Sequence, residues 1–282
     1  MNKILVFSHL MKTAGTALSK ALIGYFGPYM HIAPGGLKMD AEIYKRKDLE
    51  RDMGLFNDKL KIISGHRLRP YYDFGELEER LCWFTFLRNP AKRYVSHYLH
   101  DKMWTENFRY KRYENMKTGS IEEWEAIENY ANYQTKFIAG EENVNKAIDI
   151  LEAKMDWVGL TEDFLAGLCS FKQHFALEGL YVSNSKANTS LANQADRNLV
   201  FSNFASFIEE KNELDVQLYQ YVKENIYPRF KLDDPSSFLE KGRPLVYRNV
   251  NMIRFQINRQ LKYRTTELNL QNLNRFFTRW YR

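Results

Sequence analysis

Lys12, Thr13, Gly15 and Thr16 are the first residues in the chain whose types and spacing could do chemistry, and that chemistry is the holding of an anion. Before them, Lys3-Ile4-Leu5-Val6-Phe7 is a short run of strand formers, which predicts a buried β-strand. After them, Ala17, Leu18, Ala21, Leu22, Tyr25 and Phe26 recur at helical spacing and give one apolar face. A lysine and two hydroxyls around one glycine therefore occupy a strand-to-helix turn. Such a turn leaves the first helical N–H groups without partners, and together with the helix dipole they attract phosphate or sulfate. Gly15 lets the backbone approach the anion closely, and Lys12 adds a mobile positive charge. The spacing argues against a nucleoside-triphosphate loop, which ends in Gly-Lys-Ser/Thr. Here Lys12 precedes the glycine, and Gly-Lys-Ser/Thr occurs nowhere in the chain.

A second stretch has the same logic. Leu81-Cys82-Trp83-Phe84-Thr85-Phe86-Leu87 predicts another buried strand, followed by Arg88-Asn89-Pro90-Ala91-Lys92-Arg93-Tyr94-Val95-Ser96. Asn89 is a good N-cap and Pro90 suits the first helical position, so a helix should start at once. Arg88 then lies at the strand's exit with a planar fork suited to phosphate. Lys92 and Ser96, four apart, are expected on one helix face, where Ser96 could offer its hydroxyl to the same anion. Two anion turns in one α/β sheet suggest a ligand with phosphates at both ends. A third strand is expected from Lys61 to Gly65, which leaves His66 where open α/β sheets place their chemistry.

At these residues the chain resembles a known family. His9-Leu10-Met11-Lys12-Thr13-Ala14-Gly15-Thr16 is similar to the 5′-phosphosulfate loop of sulfotransferases that use 3′-phosphoadenosine 5′-phosphosulfate (PAPS). The likeness is greatest to the carbohydrate type, which includes the heparan-sulfate 2-O enzymes and reads His-Ile-Pro-Lys-Thr-Gly-Gly-Thr. Arg88 to Ser96, with Pro90 and Arg93 in place, resembles the family's 3′-phosphate segment, Arg-Asp-Pro-x-x-Arg-x-x-Ser. Fainter echoes are Ser64-Gly65-His66, Asn132-Tyr133-Gln134-Thr135, the stretch from Val158 to Phe164, and Asn212-Glu213-Leu214-Asp215. The resemblance spans roughly residues 1–230. The departures are Met11 for proline, Asn89 for aspartate, and Ala14 for the first glycine. Ala14 must take a φ at which glycine would be free.

The resemblance implies a P-loop-like sulfotransferase fold, an α/β architecture whose central, mostly parallel sheet is flanked by helices. It implies sulfuryl transfer from PAPS to a hydroxyl, with 3′-phosphoadenosine 5′-phosphate (PAP) as product and no metal. His66 takes the place of the catalytic base, with His9 its rival, and Lys12 is the catalytic cation. The cofactor residues become Lys12, Thr13, Ala14, Gly15, Thr16, Ala17, Arg88 and Ser96. On the acceptor side stand His9, Arg67, Arg69, Asn132 and Gln134, facing a hydroxyl on a carbohydrate or glycoconjugate. A loop within 178–203 would close over the nucleotide and offer Lys186 and Asn188. Two other readings stay open at this level: an ATP- or GTP-dependent kinase, and a non-catalytic protein that holds an acidic polymer.

The elements that must position these groups need a large core, and 282 residues with 44% hydrophobic and 15% aromatic content can supply one. Cys82 and Cys169 form no disulfide framework or zinc pattern, and they suit a reduced compartment. No stretch reads as a signal peptide or a membrane span, which leads to the expectation of a cytoplasmic protein like the soluble bacterial members. A surface helix is expected within 40–60, a helix from the Ser120 capping box to about Phe137, and another from Asn143 to Lys154. A strand is expected at Trp157–Leu160 and a helix over Phe164–Leu177. Residues 178–203 read as a long loop and 205–230 as one amphipathic helix. Residues 101–118 interleave aromatic and basic groups and could form an acceptor flap.

The net charge of +6 is unevenly placed. Residues 241–282 hold ten Lys/Arg against one acid, which leaves the remainder at −3. No general nucleic-acid affinity is expected of such a body. The chain divides into an expected catalytic domain over 1–235 and a basic amphipathic helical extension over 236–282. Packing on the core, self-association into a homo-oligomer and contact with an anionic surface are the extension's three options.

Overall fold

The computed structural model describes residues 3–35, 42–108, 119–181, 194–238 and 245–263. In chain order the elements are β1 (Ile4–Ser8), α1 (Gly15–Phe26), β2 (Met30–Ile32), α2 (Arg46–Leu55), β3 (Ile62–Gly65), β4 (Leu81–Leu87) and α3 (Pro90–Phe108). Then follow α4 (Ile121–Glu128), α5 (Tyr133–Ala139), α6 (Val144–Lys154), β5 (Met155–Leu160), α7 (Phe164–His174), α8 (Gln194–Glu210), α9 (Glu213–Tyr221) and α10 (Leu245–Tyr263). The five strands form one sheet in the order β2-β3-β1-β4-β5, and every neighbouring pair is parallel. The expected α/β architecture is therefore present.

Both faces of the sheet are covered, which is why its strands read as unbroken apolar runs. Ile4, Val6, Ile63, Trp83 and Val158 pack with side chains of α2, α3, α4, α5, α6, α8 and α9. Phe7, Ile62, Phe84, Phe86 and Trp157 point the other way, into α1, α7 and α10. From β1 the chain turns toward β2 and β3; from β4 it continues outward to β5. The C-terminal ends of β1 and β4 thus flank the point where the strand order reverses, the usual ligand crevice of open α/β sheets.

Local signals placed most elements. Asn89 caps α3 by accepting the Lys92 N–H at 3.1 Å, with Pro90 as its first residue. Ser120 accepts the Glu123 N–H at 3.2 Å and starts α4, and Asn143 accepts the Lys146 N–H at 3.0 Å to start α6. Three expectations need correction. The helix expected from Ser120 to Phe137 breaks in two, because Asn129 and Asn132 take left-handed φ values of 53° and 46°. The Glu125 carboxylate accepts the freed N–H groups of Tyr130 and Ala131 at 3.2 and 2.8 Å. The supposed loop over 178–203 yields to α8 from Gln194, while Lys186 and Asn188 lie outside the described residues. The helix expected over 205–230 is divided between α8, α9 and a π-turn at Val222–Ile226. Residues 109–118 of the expected flap and 264–282 of the extension also lie outside the described residues.

The described part of the extension packs on the domain. Asn251 Nδ2 donates to the Gly24 and Tyr25 carbonyls at 2.9 and 3.3 Å, and Phe255 is buried with Leu18, Leu22 and Ile23 of α1.

Candidate active site

The turn between β1 and α1 is the centre of the site. Positive φ at Lys12 (67°) and at Ala14 (62°) curls the chain so that successive N–H groups face one side, as in anion-binding nests. Ala14 is the helix's N-cap residue, and no side chain caps the first turn, which also lacks an acid. The start of α1 thus keeps the donors and positive dipole that an anion needs. Ala14 sits where glycine would be unstrained. Ala14→Gly is expected to stabilise the fold by about 0.5–1 kcal/mol, read as a higher urea midpoint at unchanged m-value. An unchanged or lower midpoint would refute strain at this position.

Gly15 is required for a steric reason. A Cβ there would lie 1.6 Å from His9 Nε2, because that end of the His9 ring abuts the glycine. His9 also stacks on Phe7, with centroids 4.9 Å apart, and meets the tilted His66 ring at 4.1 Å. Its pKa lies well below the usual histidine value, through burial first and the neighbouring His66 second. His9 is therefore a neutral packing ring that braces the turn.

His66 follows β3, whose terminal Gly65 permits the approach of Ala33: a Cβ would meet the Ala33 carbonyl at 2.8 Å. His66 Nδ1 lies 2.6 Å from the His9 carbonyl oxygen. A carbonyl oxygen only accepts, so Nδ1 carries the proton and Nε2 presents a lone pair. Burial pulls the His66 pKa down to about 4, the hydrogen bond to His9 opposes this, and the Arg69 charge adds to it. The ring is neutral at ordinary pH.

Arg88, at the exit of β4, reaches across the crevice. Its Nη1 donates to the Lys12 carbonyl at 2.8 Å, so the two anion turns meet. Gln134 grips the Arg88 backbone from both sides, accepting its N–H at 3.0 Å and donating to its carbonyl at 2.9 Å. Glu162 accepts the Asn89 N–H at 3.0 Å and the Tyr219 hydroxyl at 3.0 Å. Burial lowers the Arg88 pKa to about 10; Glu162 opposes the fall, and Arg197 and Arg93 deepen it. Lys12 is brought down to about 8 by burial, against the pull of Asp101 and with the push of Arg88 and Arg197. Burial is the larger cause in both, and the cations add to it by disfavouring one another's charged form. An anion would relieve them.

Several expected site residues have other work. Thr13 is fully buried and its hydroxyl donates to the Leu10 carbonyl at 2.9 Å, so it closes the turn from inside. Thr16 is exposed on the first turn of α1, whereas Ala17 is buried behind it. Ser96 is buried and Lys92 is exposed, so their side of α3 straddles the core boundary and the two form no anion-facing pair. Arg67 is turned away from the crevice and donates to the Glu42 and Ile43 carbonyls at 2.7 and 3.2 Å. Arg69 is buried, 3.9 Å over the Phe137 ring, and bonds the Tyr133 hydroxyl, which accepts the Met11 N–H at 3.4 Å. It supports the lysine turn from behind. Asn132 Oδ1 accepts the Leu214 N–H at 2.9 Å, and Gln134 is occupied by Arg88. Both side chains bond within the scaffold.

Arg197 and Asp101 carry no sequence signal of a site role, and Glu162 enters the sequence reading only within a motif echo. Arg197 projects from α8, inside a supposed loop, and its charge reaches both Lys12 and Arg88. Asp101, two turns after Arg93 on α3, is the counter-charge of Lys12; its own pKa falls to about 2 as hydrogen bonds from His100 and Trp124 and the nearby His97 outweigh burial. Glu162 belongs to one of the motif echoes, but its bond to Asn89 depends on the pairing of β4 with β5. Among the described residues no group of three His, Cys, Asp or Glu side chains is placed to hold a metal ion.

No family model and no curated protein matches the chain. Among solved structures it is similar to a sulfotransferase from Alicyclobacillus acidocaldarius, at 17% identity and a TM-score of 0.35, over 77% of this chain and 97% of that one.

Proposed function

We propose that this protein is a PAPS-dependent sulfotransferase that sulfates a hydroxyl of a carbohydrate or glycoconjugate and releases PAP. The observation that carries the reading is the meeting of the two turns, Arg88 Nη1 on the Lys12 carbonyl at 2.8 Å, at the switch point of the sheet. One doubly phosphorylated ligand could touch both. The residues fit such a group: an uncapped helix start, a glycine that leaves no room for a Cβ, and two buried cations, Lys12 and Arg88, whose pKa values are lowered by burial first and by a neighbouring arginine's charge after it.

When bound, PAPS supplies an activated sulfuryl group on a phosphate leaving group. The N–H groups at the start of α1, with Thr16, would hold the 5′-phosphate as preorganised donors. Lys12 would neutralise charge growing at the leaving oxygen, and Asp101 favours its charged form. Arg88 and Arg197 would take the 3′-phosphate. His66 would accept the acceptor's proton at Nε2, the nitrogen left open by the bond of Nδ1 to His9.

The direct test is incubation with PAPS labelled in sulfur and a panel of glycans, glycolipids and small alcohols. Transfer of label to one class supports the reading. Magnesium-dependent ATP or GTP turnover without sulfur transfer would replace it with a kinase. Salt-sensitive binding of acidic polymers with no preference for PAPS would replace it with a binding protein.

Lys12 supplies a further prediction. Its pKa of about 8 leaves about half of the free molecules uncharged there at pH 8. Binding PAP should restore the charge, so calorimetry in buffers of different ionisation heat should show uptake of about half a proton per site at that pH. Zero uptake would remove Lys12 from the phosphate contacts. Stability should also rise with pH between about 8 and the ordinary lysine value, because there the unfolded chain binds more protons.

A further inference from the structure

We propose that the outward face of α10 docks this protein on an anionic lipid surface. The inner face of the helix is occupied: Asn251 and Asn258 donate to carbonyls of Gly24, Tyr25 and Pro28, and Phe255 is buried against α1. The opposite side carries Val250, Ile253 and Ile257, which are 37%, 44% and 52% exposed. Their spacing of three and four residues aligns them in a single stripe along the helix. Arg254 is exposed and flanks that side, and it takes part in no ion pair among the described residues. From residue 245 to 263 the helix contains no acid and four basic residues, Arg248, Arg254, Arg259 and Lys262.

A line of branched aliphatic side chains in water beside positive charge alone is unfavourable, and the candidate occupants relieve it to different degrees. A second copy would bury the aliphatic stripe but set arginine against arginine. An acidic polymer would satisfy the arginines and leave the isoleucines in water. A bilayer with anionic headgroups satisfies both, with the aliphatic tips in the acyl boundary, Arg254 at the phosphates and the acid-free, basic helix drawn to the surface charge. The rest of the chain, outside 241–282, carries a net −3 and is repelled by the same surface, which orients the molecule with α10 toward it. No helix among the described residues is long and apolar enough to cross a membrane, so the contact is peripheral.

The experiment is co-sedimentation of the full chain with vesicles of phosphatidylcholine alone and of phosphatidylcholine mixed one to one with phosphatidylglycerol. Binding to the mixed vesicles only, weakened by salt, is expected. Ile253→Glu with Ile257→Glu should lower it roughly tenfold or more, Arg254→Glu should lower it several-fold, and Val216→Glu on α9 should leave it unchanged. Thermal unfolding and sedimentation velocity accompany each variant. Failure of the wild-type chain to bind mixed vesicles overturns the proposal, as does a double-glutamate variant that binds as wild type. A double-glutamate variant that unfolds early with vesicle binding intact would show that the chain itself covers the stripe. Loss of a dimer with vesicle binding intact would assign the stripe to a second copy.

Discussion

Replacement of His66 by alanine is expected to lower turnover roughly 10²–10⁴-fold, the usual worth of a positioned general base. Affinity for PAP should stay nearly intact, because the imidazole is directed at the acceptor's proton. The bond from His66 Nδ1 to the His9 carbonyl, and the 4.1 Å contact of the two tilted rings, mean that the variant also loosens a brace of the lysine turn. The pH profile separates the two effects. A base must be unprotonated to act, so kcat/KM should fall only as pH drops through about 4, the His66 value set by burial. On the alkaline side it should fall as Lys12 loses its charge near 8. A plateau between these limbs that loses its acid side in the variant supports His66. Full activity in the variant would leave it no catalytic role.

Arg88→Ala should weaken PAP binding about 10- to 100-fold, the worth of a charge-assisted hydrogen bond to phosphate, and AMP binding far less. AMP lacks the 3′-phosphate, so the ratio of the two losses is the informative number. Arg88 also holds the Lys12 carbonyl, and removal of that bond acts on both nucleotides alike. Equal losses would therefore reduce Arg88 to a brace of the lysine turn. Isothermal titration with both nucleotides decides between the roles, and Gln134→Ala offers a comparison that frees the Arg88 backbone while leaving its guanidinium in place.

What was legible in the sequence was what short-range chemistry decides. The apolar runs of β1 and β4, the Asn89 and Ser120 caps, and Pro90 at the head of α3 all act within a few residues of themselves. The break between α4 and α5 was not legible, because it is held by the Glu125 carboxylate beneath it and by Asn132 gripping the start of α9. Arg67 and Arg69 look alike in sequence. Only the packed fold sends one to the Glu42–Ile43 backbone and the other beneath Tyr133. Arg197 was hidden for the same reason: its helix lies in a polar stretch whose local composition favours loop, and its place beside Arg88 comes from tertiary packing. At the site itself, residue types on the two turns were readable, while the contact between them required the strand order.

Strands β1 and β4 are neighbours and point the same way, so α1 and α3 both begin at the same edge of the sheet. Two positive helix ends and the Lys12 and Arg88 cations thus converge on a mouth set in a body that is net negative outside its last 42 residues. An anion near that mouth meets an attraction that the net-negative remainder of residues 1–240 does not offer. Such an arrangement sorts encounters by approach angle before any contact forms, and dissolved salt blunts the sorting within a Debye length.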